Sequence, residues 1–207
     1  MTARISTHCT PNWLHAVDAS PRRIAIVVPD LSRTGGLGTV ARFLYEIIEA
    51  SERYEADLIS VALSSQDRAS IRLLRPSTWM SPVGVRHEKD NDVPYQHVGA
   101  QWAEIEYFRY QPRDALTKRM NAYDLVQVVA GTPAWTQLCR DVECPVALQV
   151  ATLTREERAA VFSETGNLSA VWRRLMAHVT DGLDHQALQH ADVAFVENAW
   201  MHDHLAQ

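Results

Sequence analysis

The run Ile24-Ala25-Ile26-Val27-Val28-Pro29 is almost wholly apolar and largely β-branched, and Gly35-Gly36-Leu37-Gly38 follows within a few residues. A strand without polar alternation has to be covered on both faces, which is the situation of a parallel strand inside an α/β sheet. From Thr39 the apolar positions Val40, Phe43, Leu44, Ile47 and Ile48 recur at helical spacing as far as about Ser51. Strand, polar loop over 30–34, glycine turn and helix are therefore predicted in that order. Asp30, at the end of the strand, falls where α/β sheets place ligands, or else orders the glycine loop.

The pattern recurs along the chain. Segments 57–63, 124–129, 145–150 and 191–196 read as further strands. The helices expected between them cover 112–120, the neighbourhood of 134–139, and 168–190. Segment 64–110 is less regular: it carries Pro76, Pro82 and Pro94 together with Trp79, Tyr95, Trp102 and Tyr107, and is expected to hold short strands and a functional loop. Alternation of this kind predicts one α/β domain, a Rossmann-like, mostly parallel sheet of about six or seven strands with helices on both faces, and the glycine loop at its C-terminal edge.

Charge narrows the partners. Against 20 basic residues stand 25 acidic ones, a formal charge of -5, so no global positive field exists to hold a phosphate backbone and nucleic acid is not an expected partner. Cys9, Cys139 and Cys144 are too few and too odd in number for a disulfide framework, and they lack a second pair to complete a zinc site. Reduced thiols in a cytoplasmic protein are the expectation. No stretch approaches the roughly 18 apolar residues of a membrane span. Residues 1–21 read as an N-terminal extension without a signal-peptide core, whose Trp13-Leu14-His15-Ala16-Val17 is expected to dock on the domain. His202 and His204 sit at i and i+2, about 200° apart on a helix, so no metal is expected there even with His185 and His190 upstream. Arg155-Glu156-Glu157-Arg158 and Arg173-Arg174 read as solvated helix faces, the second a candidate for peripheral contact with an acidic membrane surface.

The string Gly36-Leu37-Gly38-Thr39-Val40-Ala41 satisfies the dinucleotide pattern G-x-G-x-x-A, which makes an NAD(P)-dependent oxidoreductase one alternative. Two features oppose it. That fingerprint puts its first glycine at the strand end, yet residues 30–35 intervene, and the acidic residue expected at the end of the next strand is instead Asp57, ahead of the 58–63 run.

The wider string Arg33-Thr34-Gly35-Gly36-Leu37-Gly38-Thr39-Val40 resembles the N-terminal loop of GT-B glycosyltransferases, both the Lys-Thr-Gly-Gly-Leu loop of starch and glycogen synthases and the Gly-Gly pair of the retaining family 4. Three later segments are similar to that family in the same order: Tyr123 to Gly131 looks like its D-V-V-H-x-H strand and loop, 145–150 like its P-V-V-x-T-V-H-D strand, and 191–201 like A-D-x-V-I-A-V-S-E-W-M. Over about 22–207, the resemblance implies the N-terminal, acceptor-side half of a retaining transferase that moves a sugar from a nucleotide sugar to an acceptor. It implies substrate-binding positions at Arg33, Gly35, Gly36, Leu37, Gly38, Gly131, Thr152 and Asn198, no cofactor, and a separate C-terminal donor-binding domain that completes the cleft in cis or in trans. The chain alone is then expected to be inactive, to self-associate or be poorly soluble, and to expose Trp135 and Trp200 near the cleft. Departures are plain: Ala151 stands where the family often has a histidine, Thr152 where it has an aspartate, and Gln127 and Val129 where it has two histidines. They favour the other alternative, a non-catalytic binding or assembly module on the same fold.

Overall fold

The computed structural model describes residues 20–31, 35–159, 161, 166 and 168–205 of the chain. Arg33, Cys9 and the Trp13 segment lie outside the described residues. Strands β1 (Arg22–Pro29), β2 (Tyr54–Val61), β3 (Val85–Asp90), β4 (Val93–Val98), β5 (Leu125–Ala130), β6 (Val146–Val150) and β7 (Val193–Val196) form one sheet in the order β3-β4-β2-β1-β5-β6-β7. Every neighbouring pair is parallel except β3 with β4. The fold is α/β and Rossmann-like, as the alternation predicts.

Side-chain alternation divides the core into two layers. Ile24, Ile26 and Val28 of β1 and Leu58 of β2 pack under helix α1 (Gly36–Glu49), against Ala41, Leu37, Val40, Leu44 and Ile48. Ala25, Val27, Ile59, Val61, Val126 and Val128 face the other way, onto Leu116 and Met120 of α3 (Asp114–Met120) and Leu183 of α5 (Leu168–Ala187). Burying each such side chain is worth about 1.5–3 kcal/mol, so the apolar run of β1 is the line along which both layers meet. Short helices α2 (Glu106–Arg109), α4 (Thr154–Glu157) and α6 (Ala199–Leu205) complete the set.

Several elements differ from the sequence reading. Strand β2 starts three residues before 57 and contains Asp57, whose carboxylate accepts hydrogen bonds from Arg23 Nη2 at 3.1 Å and the Tyr123 hydroxyl at 2.9 Å. Those partners, 34 and 66 residues away in the chain, are what make an acid tolerable in that strand. The helix expected around 134–139 is a 3₁₀ helix over Pro133–Cys139, opened by Pro133. The sheet is mostly parallel, as expected, and its exception is β3 with β4, a hairpin whose two-residue turn, Asn91-Asp92, has φ of 47° and 68°. Left-handed backbone at both central residues is the mark of a type I′ turn, and so tight a connection can join only antiparallel strands. The long helix ends at Ala187 and not at 190.

Buried polar groups staple these layers. Arg113, fully enclosed, donates from Nη1 to the Gly99 carbonyl at 2.8 Å and from Nη2 to the Arg109 carbonyl at 2.9 Å; burial pushes its guanidinium down to about 10. Burial likewise pushes the Cys139 thiol up to about 12, which leaves it inert at neutral pH. Among the described residues, no helix is long and apolar enough to cross a membrane.

Candidate functional site

The chain runs from β1 outward to β2 and β4, then returns to lay β5, β6 and β7 on the other side of β1. Loops after β1 and β5 therefore diverge in opposite directions at the C-terminal edge, and such a switch point is where α/β sheets of this kind bind ligands. Asp30 ends β1 with φ 47° while its N–H continues the ladder to the Val61 carbonyl at 3.0 Å, so the chain turns sharply out of the sheet here. Gly35 is the N-cap of α1 and Gly36, Leu37 and Gly38 form its first turn, a correction to the flexible turn read from sequence. The Gly35 carbonyl accepts from Thr39 N–H and from Thr39 Oγ1, both at 3.2 Å.

Nothing described blocks this helix end. Among the described residues, no side chain caps it, no acid lies in its first turn, and a Cβ added to Gly35 or Gly36 would meet no atom within 4 Å. The fold does not require glycine at either position for space. Gly35 and Gly36 are exposed while Gly38 is buried, and a helix N-terminus carries partial positive charge and N–H groups that have no partner within the helix, a suitable seat for an anion.

Three other residues singled out in the sequence line the same edge. Gly131 follows β5, Thr152 follows β6 and Asn198 follows β7, and the Thr152 N–H donates to the Gly131 carbonyl at 3.0 Å. Asn198 does structural work: Nδ2 donates to the Ala151 carbonyl at 3.1 Å and Oδ1 accepts from the Met201 N–H at 2.8 Å, capping α6. Replacing it by alanine removes both bonds, and a loss of about 1–2 kcal/mol is expected from a urea midpoint shift. An unchanged midpoint would show that α6 is held by packing of Met201 alone.

Sequence reasoning missed a polar cluster beside this edge. His97 of β4 is buried; its Nδ1 lies 3.2 Å from Ser60 Oγ, and its Nε2 lies 3.2 Å from Asp67 Oδ2. Ser60 Oγ in turn accepts the Leu31 N–H at 3.0 Å. Arg86 Nη2 reaches Asp67 at 2.9 Å and Glu88 at 3.1 Å, and Glu88 accepts the Tyr95 hydroxyl at 2.6 Å. Seen as chemistry, Ser60, His97 and Asp67 form a hydroxyl, imidazole and carboxylate chain. Ser60 is completely buried, however, so no substrate reaches it as a nucleophile. His97, Asp67, Arg86 and Glu88 line a cavity of about 210 Å³ together with Asp30 and Ser64. A wider cleft of about 500 Å³ lies beyond Ser64, lined by Arg72, Arg75, Glu104 and Arg109. Only the period-two placement of His97 in β4 hinted at any of this, because its partners are brought in by the 64–70 loop.

Two expectations about surface are corrected. Trp135 is buried, stacked edge-on against Tyr110 at 4.8 Å between ring centres, because the 3₁₀ helix turns it into the core; Trp200 is about half exposed, as expected. Arg158 is not simply solvated: Nη2 pairs with Glu106 at 2.7 Å and ties α4 to α2. No protein-family model matches the chain, and no curated protein matches it either.

Proposed function

We propose that the chain is the N-terminal, acceptor-side domain of a GT-B, family-4-like retaining glycosyltransferase, acting with a donor-binding domain supplied in cis or in trans. The observation that supports this reading is the glycine-built N-terminus of α1 at the β1/β5 switch point, on the same sheet edge as Gly131 and Thr152. A diphosphate or a developing anionic leaving group is the species that such a helix end stabilises. The four family-like strings fall on β1 to α1, β5, β6, and β7 to α6, so each carries its loop to the same edge. Gly35, Gly36, Leu37, Gly38 and Gly131 are the backbone contacts in this reading, with Arg33 the accompanying cation.

In this reading residues 22–207 supply one wall of the cleft, so isothermal titration of them with uridine, guanosine and adenosine diphosphate sugars is expected to give dissociation constants weaker than about 1 mM and no turnover. Micromolar affinity or transfer by the 207-residue chain alone would put the donor site elsewhere. A non-catalytic module on the same fold is favoured by one observation: Asn198 spends its side chain on Ala151 and Met201, and Ala151 offers no side-chain chemistry. The oxidoreductase reading has less support. Strand β2 ends at Val61 and continues into Ala62 and Leu63, with no carboxylate where a ribose would need one, and Asp57 is engaged by Arg23 and Tyr123.

A further inference from the structure

We propose that the loop from Arg68 to Met80 docks on an anionic lipid bilayer, with Leu74 and Met80 entering its interface and Arg68, Arg72 and Arg75 meeting its phosphates. The proposal stands apart from the glycosyltransferase reading, since it concerns where the chain sits and not what it transfers.

Charge reverses sign in this segment. Arg68-Ala69-Ser70-Ile71-Arg72-Leu73-Leu74-Arg75-Pro76-Ser77-Thr78-Trp79-Met80 carries three arginines and no acid, in a chain whose formal charge is -5. Among the described residues, no salt bridge takes up any of the three. Arg72 Nη2 donates to the Gln66 carbonyl at 2.8 Å, which leaves most of that guanidinium's N–H groups for an outside partner. Glu104, an acid lining the neighbouring cleft, is already engaged: Oε2 accepts the Ser65 hydroxyl at 2.6 Å and Oε1 the Leu73 N–H at 3.2 Å.

The apolar side chains of the same loop are held in water. Leu74 is 86% exposed and Met80 91%, while Trp79 is about half exposed. This is built structure. Thr78 Oγ1 accepts the Arg72 N–H at 3.0 Å and Trp79 Nε1 donates to the Arg72 carbonyl at 2.8 Å, so the loop closes on itself with Leu74 in its tip. Trp79 meets Trp102 edge-on at 6.0 Å, and Trp102 meets Phe108 of α2 at 5.5 Å, an aromatic brace behind the tip. Leu74 also lines the cleft of about 500 Å³ with Arg72, Arg75 and Arg109, so apolar tip and cations share one surface.

That combination selects the occupant. A protein partner would need a socket shaped for the projecting side chains, whereas the headgroup and acyl boundary of a bilayer takes them without one. Trp79, with its N–H already paired, suits the headgroup level where such rings collect. A neutral bilayer offers the arginines nothing, and an anionic one attracts each of them.

Flotation of the full chain with lipid vesicles tests this, using phosphatidylcholine alone and with about 30% phosphatidylglycerol added, in about 0.1 M salt. Binding to the anionic vesicles at least tenfold tighter than to the neutral ones is expected, most of it lost in about 0.5 M salt. Arg68→Gln and Arg75→Gln should each weaken it about fivefold, and Leu74→Ser at least tenfold, all at exposed positions where the circular dichroism spectrum stays wild-type. No binding by the wild-type chain, equal binding to both vesicles, or wild-type affinity in Leu74→Ser would overturn the proposal. So would loss of binding in the double variant Arg173→Gln, Arg174→Gln with the loop variants unaffected, which would move the contact to α5. A lower light-scattering mass for Leu74→Ser without vesicles would overturn it too, by making the loop an interface between copies. Because the vesicle preference of the wild-type chain can alone overturn the proposal, an unfolded variant leaves the test standing.

Discussion

Replacing Gly99 by alanine is expected to leave little folded protein. Gly99 directly follows β4, and the backbone of residues 69–70 crosses it so closely that an added Cβ would fall inside van der Waals contact with the Ala69 carbonyl group and lie 2.8 Å from Ser70 N. Those neighbours are main chain and cannot swing aside. They are also pinned: the Ala69 carbonyl accepts Gly84 N–H at 2.8 Å, the Gly84 carbonyl accepts Gly99 N–H at 3.0 Å, and Ser70 Oγ accepts Ala100 N–H at 2.7 Å. Any shift also strains the Arg113 bond to the Gly99 carbonyl. A cost of about 4 kcal/mol or more follows, a large share of the whole stability of a domain. Gly84→Ala is the graded comparison, since its Cβ would sit 3.1 Å from Ala69 Cα and needs only a small adjustment; about 1–2 kcal/mol is expected. Soluble yield and urea midpoints read both. A Gly99→Ala protein with a wild-type midpoint would mean that the 64–70 loop does not cross β4 as described.

The second large effect is expected at Asp184. This carboxylate on α5 is buried and accepts the Ala134 N–H at 2.8 Å and the Thr154 N–H at 2.6 Å, so one side chain holds the starts of the 3₁₀ helix and of α4. Asp184→Ala leaves two buried N–H groups without acceptors, and about 3–5 kcal/mol is the expected loss. Asp184→Asn should recover only part of it, because an amide offers one oxygen and opposes the other N–H with its own donors. Burial is the dominant influence on the carboxyl and raises it to about 6 from the ordinary 3.8, with the two backbone bonds pulling the other way. The unfolded chain therefore loses this proton as pH rises past about 4, while the folded chain holds it to about 6. The contribution of Asp184 to stability declines as pH rises through that window and is level above it. A carbon-detected titration with a midpoint near 6 is the expected result; a midpoint near the ordinary value would show a wetter pocket.

Much of the frame was legible in the sequence, and particular residues show why the rest was not. Ile24 to Val28 announce a doubly buried strand because uninterrupted β-branched chain has no exposed face to offer. The glycine string announces a strand-to-helix junction because it punctuates the passage from an apolar run to a helical repeat. Asp57, His97 and Asp184 were silent for a common reason. Each is a polar residue made acceptable by a partner far along the chain: Tyr123 for Asp57, Ser60 and Asp67 for His97, and the N–H groups of Ala134 and Thr154 for Asp184. Local pattern carries no record of such pairings. The hairpin at Asn91-Asp92 was locally encoded, yet its strands, rich in charge and bearing Pro94, do not look like strands until Arg86, Glu88 and Tyr95 are seen bonded across them. Trp135 was misplaced because its burial comes from Tyr110, a partner elsewhere in the chain that its place after the Gly131-Thr132-Pro133 turn does not reveal.

The central claim is that ligand chemistry resides at the N-terminus of α1 where the sheet changes direction. Amide NMR mapping of the intact chain against the three nucleotide diphosphate sugars tests it most directly, and weak binding is no obstacle to that method. The account predicts shifts concentrated at Gly35 to Thr39 and at Gly131 to Thr132, lost in a Gly36→Val variant whose fold survives because a side chain there points into open space. Shifts confined to the arginine-lined cleft around Arg72, Arg75 and Arg109, or unchanged shifts in Gly36→Val, would contradict it.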